Sequence, residues 1–225
     1  MPRRLLVTIV LLSVLAVIFA CSCGPTGGVV NFPDPNLEAA VREKIHKPTG
    51  DIYRSDLERY TKRLSLLESG ITDLTGLDYF INVKELRLVR NQISDLTPIS
   101  NLTNLTYLDI SYNPISDLSP LSNLTNIECL YTKYCNIADI SPLGNLTKLE
   151  RFHAHNNKIS NISVLTNLTN LNELQLDFNQ ISDISPLVEN TGIGSGDFVT
   201  LYENPLSEEA INVYIPQLLQ RGVNM

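Results

Sequence analysis

Apolar residues fall on a fixed comb along most of this chain. From residue 61 onward the pattern L-x-x-L-x-L-x-x-N-x-I-x-D-L returns every 22 residues, in units beginning at Thr61, Val83, Leu105, Ile127, Leu149 and Leu171. A seventh, altered unit begins near Gly196, after three extra residues around 191–195. The segment LTYLDISYNPISDL, opening at Leu105, fits every marked position. A period in the twenties marks a stacked repeat, in which one unit cannot bury its own apolar face and its neighbours complete the core. Positions 4 and 6 of each unit, such as Leu86/Leu88, Leu108/Ile110 and Leu174/Leu176, alternate as on a short strand and point inward. Each strand is predicted to pair in parallel with the next. Ile115, Leu118, Leu121 and Leu124 then carry the chain back along the opposite side. The pairs Thr97-Pro98, Ser119-Pro120, Ser141-Pro142 and Ser185-Pro186 predict tight turns or short 3₁₀ segments there, since proline fixes φ and disfavours a longer helix.

Position 9 is Asn91, Asn113, Asn157, Asn179 and Asn204. A strand ends there and buried backbone must bend, and an amide offers it both donor and acceptor. Cys135 takes this position in the fourth unit and Ser69 in the first. Both ends of such a stack need capping. Asp34-Pro35 reads as a helix N-cap followed by proline, and Leu37, Val41 and Ile45 make an amphipathic helix to about His46. Residues 55–60 predict a second short helix. At the far end Ser207 opens a helix with Ile211, Ile215 and Leu219 on one stripe, kinked at Pro216 and stopped at Gly222.

These units resemble the leucine-rich repeat, in the 22-residue form found in internalin-like bacterial surface proteins. The resemblance covers residues 31 to 225. It implies an α/β repeat fold: a right-handed solenoid with a curved parallel sheet on the concave side, turns and short 3₁₀ segments on the convex side, and helical caps. The organisation expected is a signal peptide at 1–20, a lipidated cysteine and linker at 21–30, an N-terminal cap at 31–60, repeats at 61–195, and a last repeat with its cap helix at 196–225.

The first twenty residues stand outside the fold. Arg3 and Arg4 precede an uncharged run from Leu5 to Ala20, the length of a signal-peptide core and short of the roughly 20 residues a membrane span needs. Ala20-Cys21 resembles the lipobox of bacterial lipoproteins, which implies that Cys21 is lipidated and becomes the mature N-terminus. Ile18 and Phe19 depart from that motif, so an uncleaved N-terminal anchor and plain secretion stay open beside lipidation. Each of the three exports the protein, and lipidation or a retained anchor holds it at the membrane or cell surface.

Function should lie where the repeats disagree. Positions 3, 5, 7 and 8 read as outward strand positions free of core duty. The side chains there that suit recognition are Arg87, Arg90, Tyr107, Asp109, Tyr112, Tyr131, Lys133, Tyr134, Arg151, His153, His155, Gln175, Asp177, Phe178 and Tyr202. With neighbouring strands about 4.8 Å apart, Tyr107, Tyr112, Tyr131, Tyr134 and Phe178 are expected to form one aromatic strip. Exposed aromatics are enriched at binding hot spots, although the β-propensity of tyrosine would also place it on a strand. His153 and His155, with Asp177 one strand over, have ligand types suited to zinc. Lys133 on the other flank would repel a cation, so no metal is assigned. Cys129 and Cys135 are too far apart along the chain for a disulfide. Cys129 reads as a free thiol near the concave edge and Cys135 as a core residue.

Composition narrows the partner. The chain has 225 residues, enough for one elongated domain, and 43% apolar residues, enough for a sizeable core. With 17 basic against 24 acidic residues and a net charge of −7, it lacks the basic excess that phosphate backbones require, so nucleic acid is not expected. It contains no Gly-rich phosphate loop, G-x-S-x-G, H-E-x-x-H or metal-spaced C-x-x-C. No cofactor is called for. The N-x-[ST] matches at Asn101, Asn104, Asn123, Asn145, Asn161 and Asn167 fall in the repeat consensus and read as turn residues. The expectation is a non-catalytic cell-surface module that binds a protein through the concave face. A glycan-binding or envelope-organising module is the alternative, an accessory domain with no ligand of its own comes third, and a metal-dependent enzyme is a distant fourth.

Overall fold

The computed structural model describes residues 27–225; the leader, Cys21 and most of the linker lie outside them. Seven strands form one parallel sheet in sequence order: β1 (Leu64–Ser65), β2 (Glu85–Arg87), β3 (Tyr107–Asp109), β4 (Cys129–Tyr131), β5 (Arg151–His153), β6 (Glu173–Gln175) and β7 (Phe198–Thr200). The register advances by one repeat at each step, with Leu86 on Leu108, Leu108 on Leu130 and Leu130 on Phe152. Return segments on the other side hold 3₁₀ turns at Leu77–Tyr79, Thr97–Ile99, Ser119–Leu121, Ser141–Asn145 and Ser163–Asn167. This is a leucine-rich-repeat solenoid, and the apolar comb lines its single continuous core.

Three side-chain ladders set the chain's path. At position 9, Asn113 Nδ2 donates to the carbonyls of Leu88, Ile110 and Ser111, and its Oδ1 accepts from Ile93 N–H at 3.1 Å. At position 13, each carboxylate or amide caps the following turn. Asp95, Asp117, Asp139 and Asp183 accept from the N–H of Thr97, Ser119, Ser141 and Ser185 at 2.7–2.8 Å. The third ladder carries no signal beyond the repeat itself. At position 22, Asn104, Asn126 and Asn170 donate to carbonyls of the preceding repeat, and Asn82 to Glu58 O at the N-terminal cap. Asn104 heads one of the N-x-[ST] matches, and its amide is committed to Ile81 O at 2.7 Å.

Helix α1 (Pro35–Ile45) closes the N-terminal end, followed by α2 (Arg54–Glu58). Asp34 caps α1 through Oδ1, while its Oδ2 accepts from Thr72 N–H, Thr72 Oγ1 and Asp73 N–H of the first repeat. Burial alone would raise this carboxyl, but those donors outweigh it and hold the pKa at about 2. The ionised bolt contributes about 2 kcal/mol above the ordinary carboxylate pKa of 3.8, lost as pH falls through about 2.

The last return segment is a short α-helix, α3 (Ser185–Glu189), where the other turns are 3₁₀. The insertion follows it, anchored by Asn190, whose buried amide donates to Leu165 O and Leu168 O and accepts from Gly192 N–H. The terminal helix departs from the expected stripe. A π-helical turn at Ala210–Tyr214 leads into α4 (Ile215–Gln220). Pro216 has no N–H to continue the i−4 ladder, and the wider turn rotates the faces. Ala210 and Leu218 are buried, whereas Ile211 and Leu219 are exposed. Beyond it Asn224 pairs beside β7 and covers that edge of the sheet.

Candidate functional site

Position 8 is not part of any strand. Glu68, Arg90, Tyr112, Tyr134, Asn156, Phe178 and Glu203 all have φ between 50° and 59°, in the left-handed region. In the first six units the N–H of this residue donates to the position-7 carbonyl of the next repeat, as Tyr112 does to Lys133 and Phe178 to Tyr202. That bond fixes the bend, and the side chains project as a row beside the sheet. Positions 3 and 5 form a second row on the sheet itself.

The expected single aromatic strip therefore resolves into separate runs. On the sheet, the Arg87 guanidinium lies 4.8 Å from the Tyr107 ring, Tyr107 packs on Tyr131 at 5.1 Å, and Tyr131 meets His153 edge-on at 4.7 Å. Beside it, Glu68 pairs with Arg90 at 2.9 Å, Arg90 covers Tyr112, and Tyr112 stacks on Tyr134 at 4.6 Å with the rings 13° apart. Tyr134 then meets His155. Phe178 packs edge-on with Tyr202 at 5.5 Å as a third group. Asp109 sits in register with Arg87, Lys133 covers the Tyr131 ring, and Arg151 lies 3.5 Å from Glu173. Gln175 reaches Glu173 and lines a pocket with Asp177. Burial, with Asp109 adding to it, pushes Tyr107 up to about 12, so it remains a hydrogen-bonding phenol.

The two histidines have different surroundings. His153 is buried beneath Tyr131, with Nε2 2.8 Å from Glu173 Oε1 and Nδ1 without a protein partner. His155 is half-buried between Lys133 and Asp177. Among the described residues no three metal-ligating side chains are gathered. The Asp177 carboxylate is instead held by Thr200 Oγ1 at 2.5 Å and Tyr202 N–H at 2.7 Å. Cys129 is buried at position 3 of β4, where Arg151 Nη1 donates to its sulfur at 3.5 Å. Burial raises the pKa of Cys129 and pushes that of Cys135 up to about 11, so neither is a ready thiolate.

Burial pulls both imidazoles down, with Glu173 opposing it at His153 and Lys133 reinforcing it at His155. The unfolded chain takes up these protons near pH 6.5 and the folded chain resists, so stability falls as pH drops below that value. Denaturation midpoints at pH 7 and pH 5 are expected to fall further for the wild type than for His153→Phe. Equal falls would show that His153 carries none of the effect.

Sequence reasoning missed Glu173, which touches His153, Arg151 and Gln175. It was legible only by reading position 3 down every unit, where Glu173 stands beside Arg151.

The comparisons agree with this geometry. A family model for leucine-rich repeats matches residues 81–123, 103–145 and 147–189. An internalin C2 structure from Listeria monocytogenes is 32% identical, with a TM-score of 0.64; the match covers 86% of this chain and 92% of that one. The chain belongs to the internalin-like leucine-rich-repeat proteins. A second internalin from Listeria monocytogenes, InlF, is also 32% identical with a TM-score of 0.69. This internalin-like chain spans 63% of that structure's length. No curated protein sequence matches the chain. Among the described residues no helix is long and apolar enough to cross a membrane.

Proposed function

We propose that this internalin-like chain is a non-catalytic binding module that engages a protein through the outer face of its sheet and the adjoining position-8 row. The observation that carries the reading is the conformation of Tyr112, Tyr134 and Phe178. Left-handed backbone costs a side-chain-bearing residue about 1–2 kcal/mol, and bulky residues rarely adopt it. These three aromatics sit there, 39%, 46% and 47% exposed. Because position 8 lies outside the strands, β-propensity does not account for them. Aromatic side chains held at such positions fit binding hot spots. The leader, through lipidated Cys21 or as a retained anchor, would tether the module at the cell surface.

A glycan reading shares the same rings. Tyr112 and Tyr134 stack on each other, however, and Arg90 lies over the Tyr112 ring. A sugar platform needs an open ring face, which Tyr112 does not offer, so protein is favoured.

The test is affinity capture from envelope and secreted fractions on the immobilised protein, beside the Tyr112/Tyr134/Phe178→Ala variant. Circular dichroism should be unchanged, since the three side chains are exposed. Binding of a captured protein is expected to weaken by about 100-fold or more. Equal capture by both would place the site on the convex side or the caps. Loss of capture to soluble polysaccharide would favour the glycan reading.

A further inference from the structure

Between the aromatic groups of the position-8 row lies a gap. Tyr134, Asn156 and Phe178 occupy successive repeats with the same backbone conformation, so the short Asn156 leaves a slot between two rings. The slot is an open pocket of about 310 Å³ lined by Tyr134, His155, Asn156, Gln175, Asp177 and Phe178, with Phe198 and Thr200 at its far side. Two repeat spacings set its walls about 9.6 Å apart. A planar group touching both rings needs roughly 7–8 Å, so the slot admits one with room to spare.

Its charge is one-sided. Asp177 has no cation within ion-pair distance among the described residues, whereas Glu68, Glu85 and Glu173 each have an arginine. Thr200 and Tyr202 fix the carboxylate with one donor to each oxygen, leaving lone pairs free on both. Lys133 lies on the far side of His155, over the Tyr131 ring.

We propose that this slot receives an arginine side chain of the protein partner, its guanidinium lying between Tyr134 and Phe178 and forking onto Asp177. The guanidinium is flat, permanently charged and weakly hydrated; it stacks on aromatic faces and matches a carboxylate with paired donors. Lysine's compact ammonium would use the carboxylate but leave the aromatic walls unfilled. His155, whose pKa burial lowers, stays neutral at pH 7 and does not oppose the cation. The proposal rests on the protein-binding reading of this face and specifies one contact in it.

The test titrates the full chain with N-acetyl-L-arginine methylamide, read by amide and ring chemical shifts. A parallel titration uses the citrulline analogue, which has the same shape without the charge. Saturable shifts are expected at Asn156, Asp177 and Phe178, with the citrulline probe weaker by about tenfold or more. Asp177→Asn should cause a similar loss. Asn156→Tyr should abolish the response with Asp177 retained, and it should fold, because tyrosine already stands at this position in the two preceding repeats. Equal response to citrulline, no saturable shift in the millimolar range, or an unchanged response in Asn156→Tyr would each overturn the slot. So would saturable binding of N-acetylglucosamine at these residues in place of arginine. If the probe fails while the triple alanine variant still loses its captured protein, the slot is wrong and the protein-binding face stands. If arginine binds but capture is unaffected by the triple variant, the wider reading fails instead.

Discussion

Asn113→Ala is expected to lower stability by about 3–5 kcal/mol, among the largest losses available to a single substitution here. In a chain of this size that is a fall in Tm of roughly 10–15 °C. The side chain is buried and serves the carbonyls of Leu88 and Ile110 and the N–H of Ile93, on three different segments. Removing it orphans several buried backbone groups at once, each of which costs about 1–3 kcal/mol. Asn113→Asp separates hydrogen bonding from volume. It keeps the shape but turns an anionic oxygen toward three carbonyls, so it should be no better than alanine. The fourth repeat supplies the converse. Cys135 stands in the same ladder with its sulfur 3.6 Å and 3.7 Å from the carbonyls of Ile110 and Lys133. Cys135→Asn should gain about 1 kcal/mol. A loss under about 1 kcal/mol in Asn113→Ala, by urea denaturation, would mean that water replaces the amide and the ladder is not what holds the turns.

The second large effect is expected at Gly192. A Cβ built there would lie 1.8 Å from Thr169 O and 2.5 Å from Thr169 C, both backbone atoms of the preceding return segment. Nothing flexible can move aside, so Gly192→Ala must push the insertion off the stack and strain the Asn190 anchor. About 3 kcal/mol or more is expected, comparable to severe overpacking. Gly194, two residues on, has open space around its Cβ position. Gly194→Ala should be neutral or stabilise slightly, by restricting the unfolded chain. Thermal melts of the pair decide the matter, and similar Tm values would show that the insertion is not seated on Thr169 as described.

The repeat pattern made the fold legible because burial follows it position by position. Leu108, Ile110, Ile115, Leu118, Leu121 and Leu124 all enter the core, and the Asn ladder follows from the strand ends needing a donor and an acceptor. What escaped was what a period cannot encode. Position 8 reads as the end of a strand, since polar and aromatic residues suit an extended edge as well as a left-handed bend; only the hydrogen bond to the next repeat distinguishes them. The division of the aromatics into separate runs followed from that misreading. The roles of Asn190 and Gly192 had no repeated counterpart to compare. In the last helix the stripe Ile211, Ile215, Leu219 assumed unbroken α geometry, and Pro216 with its π-turn removed that premise. Among the proposed contact residues, side-chain identity was visible throughout, but the pairing of Tyr112 with Tyr134 and of Asp177 with Thr200 depends on rotamers that no pattern records.

The uniform backbone at position 8 has a consequence for how such a surface changes. Glutamate, arginine, tyrosine, asparagine and phenylalanine all take the same φ there to within 9°, and in the first six units the amide is tethered to its neighbour whatever the side chain. The row behaves as a ruler with graduations about 4.8 Å apart, on which each mark can be re-inked without bending the rule. A lineage of such chains could drift from one partner to another through single exchanges along it, each intermediate remaining folded, with recognition and stability evolving as nearly separate properties.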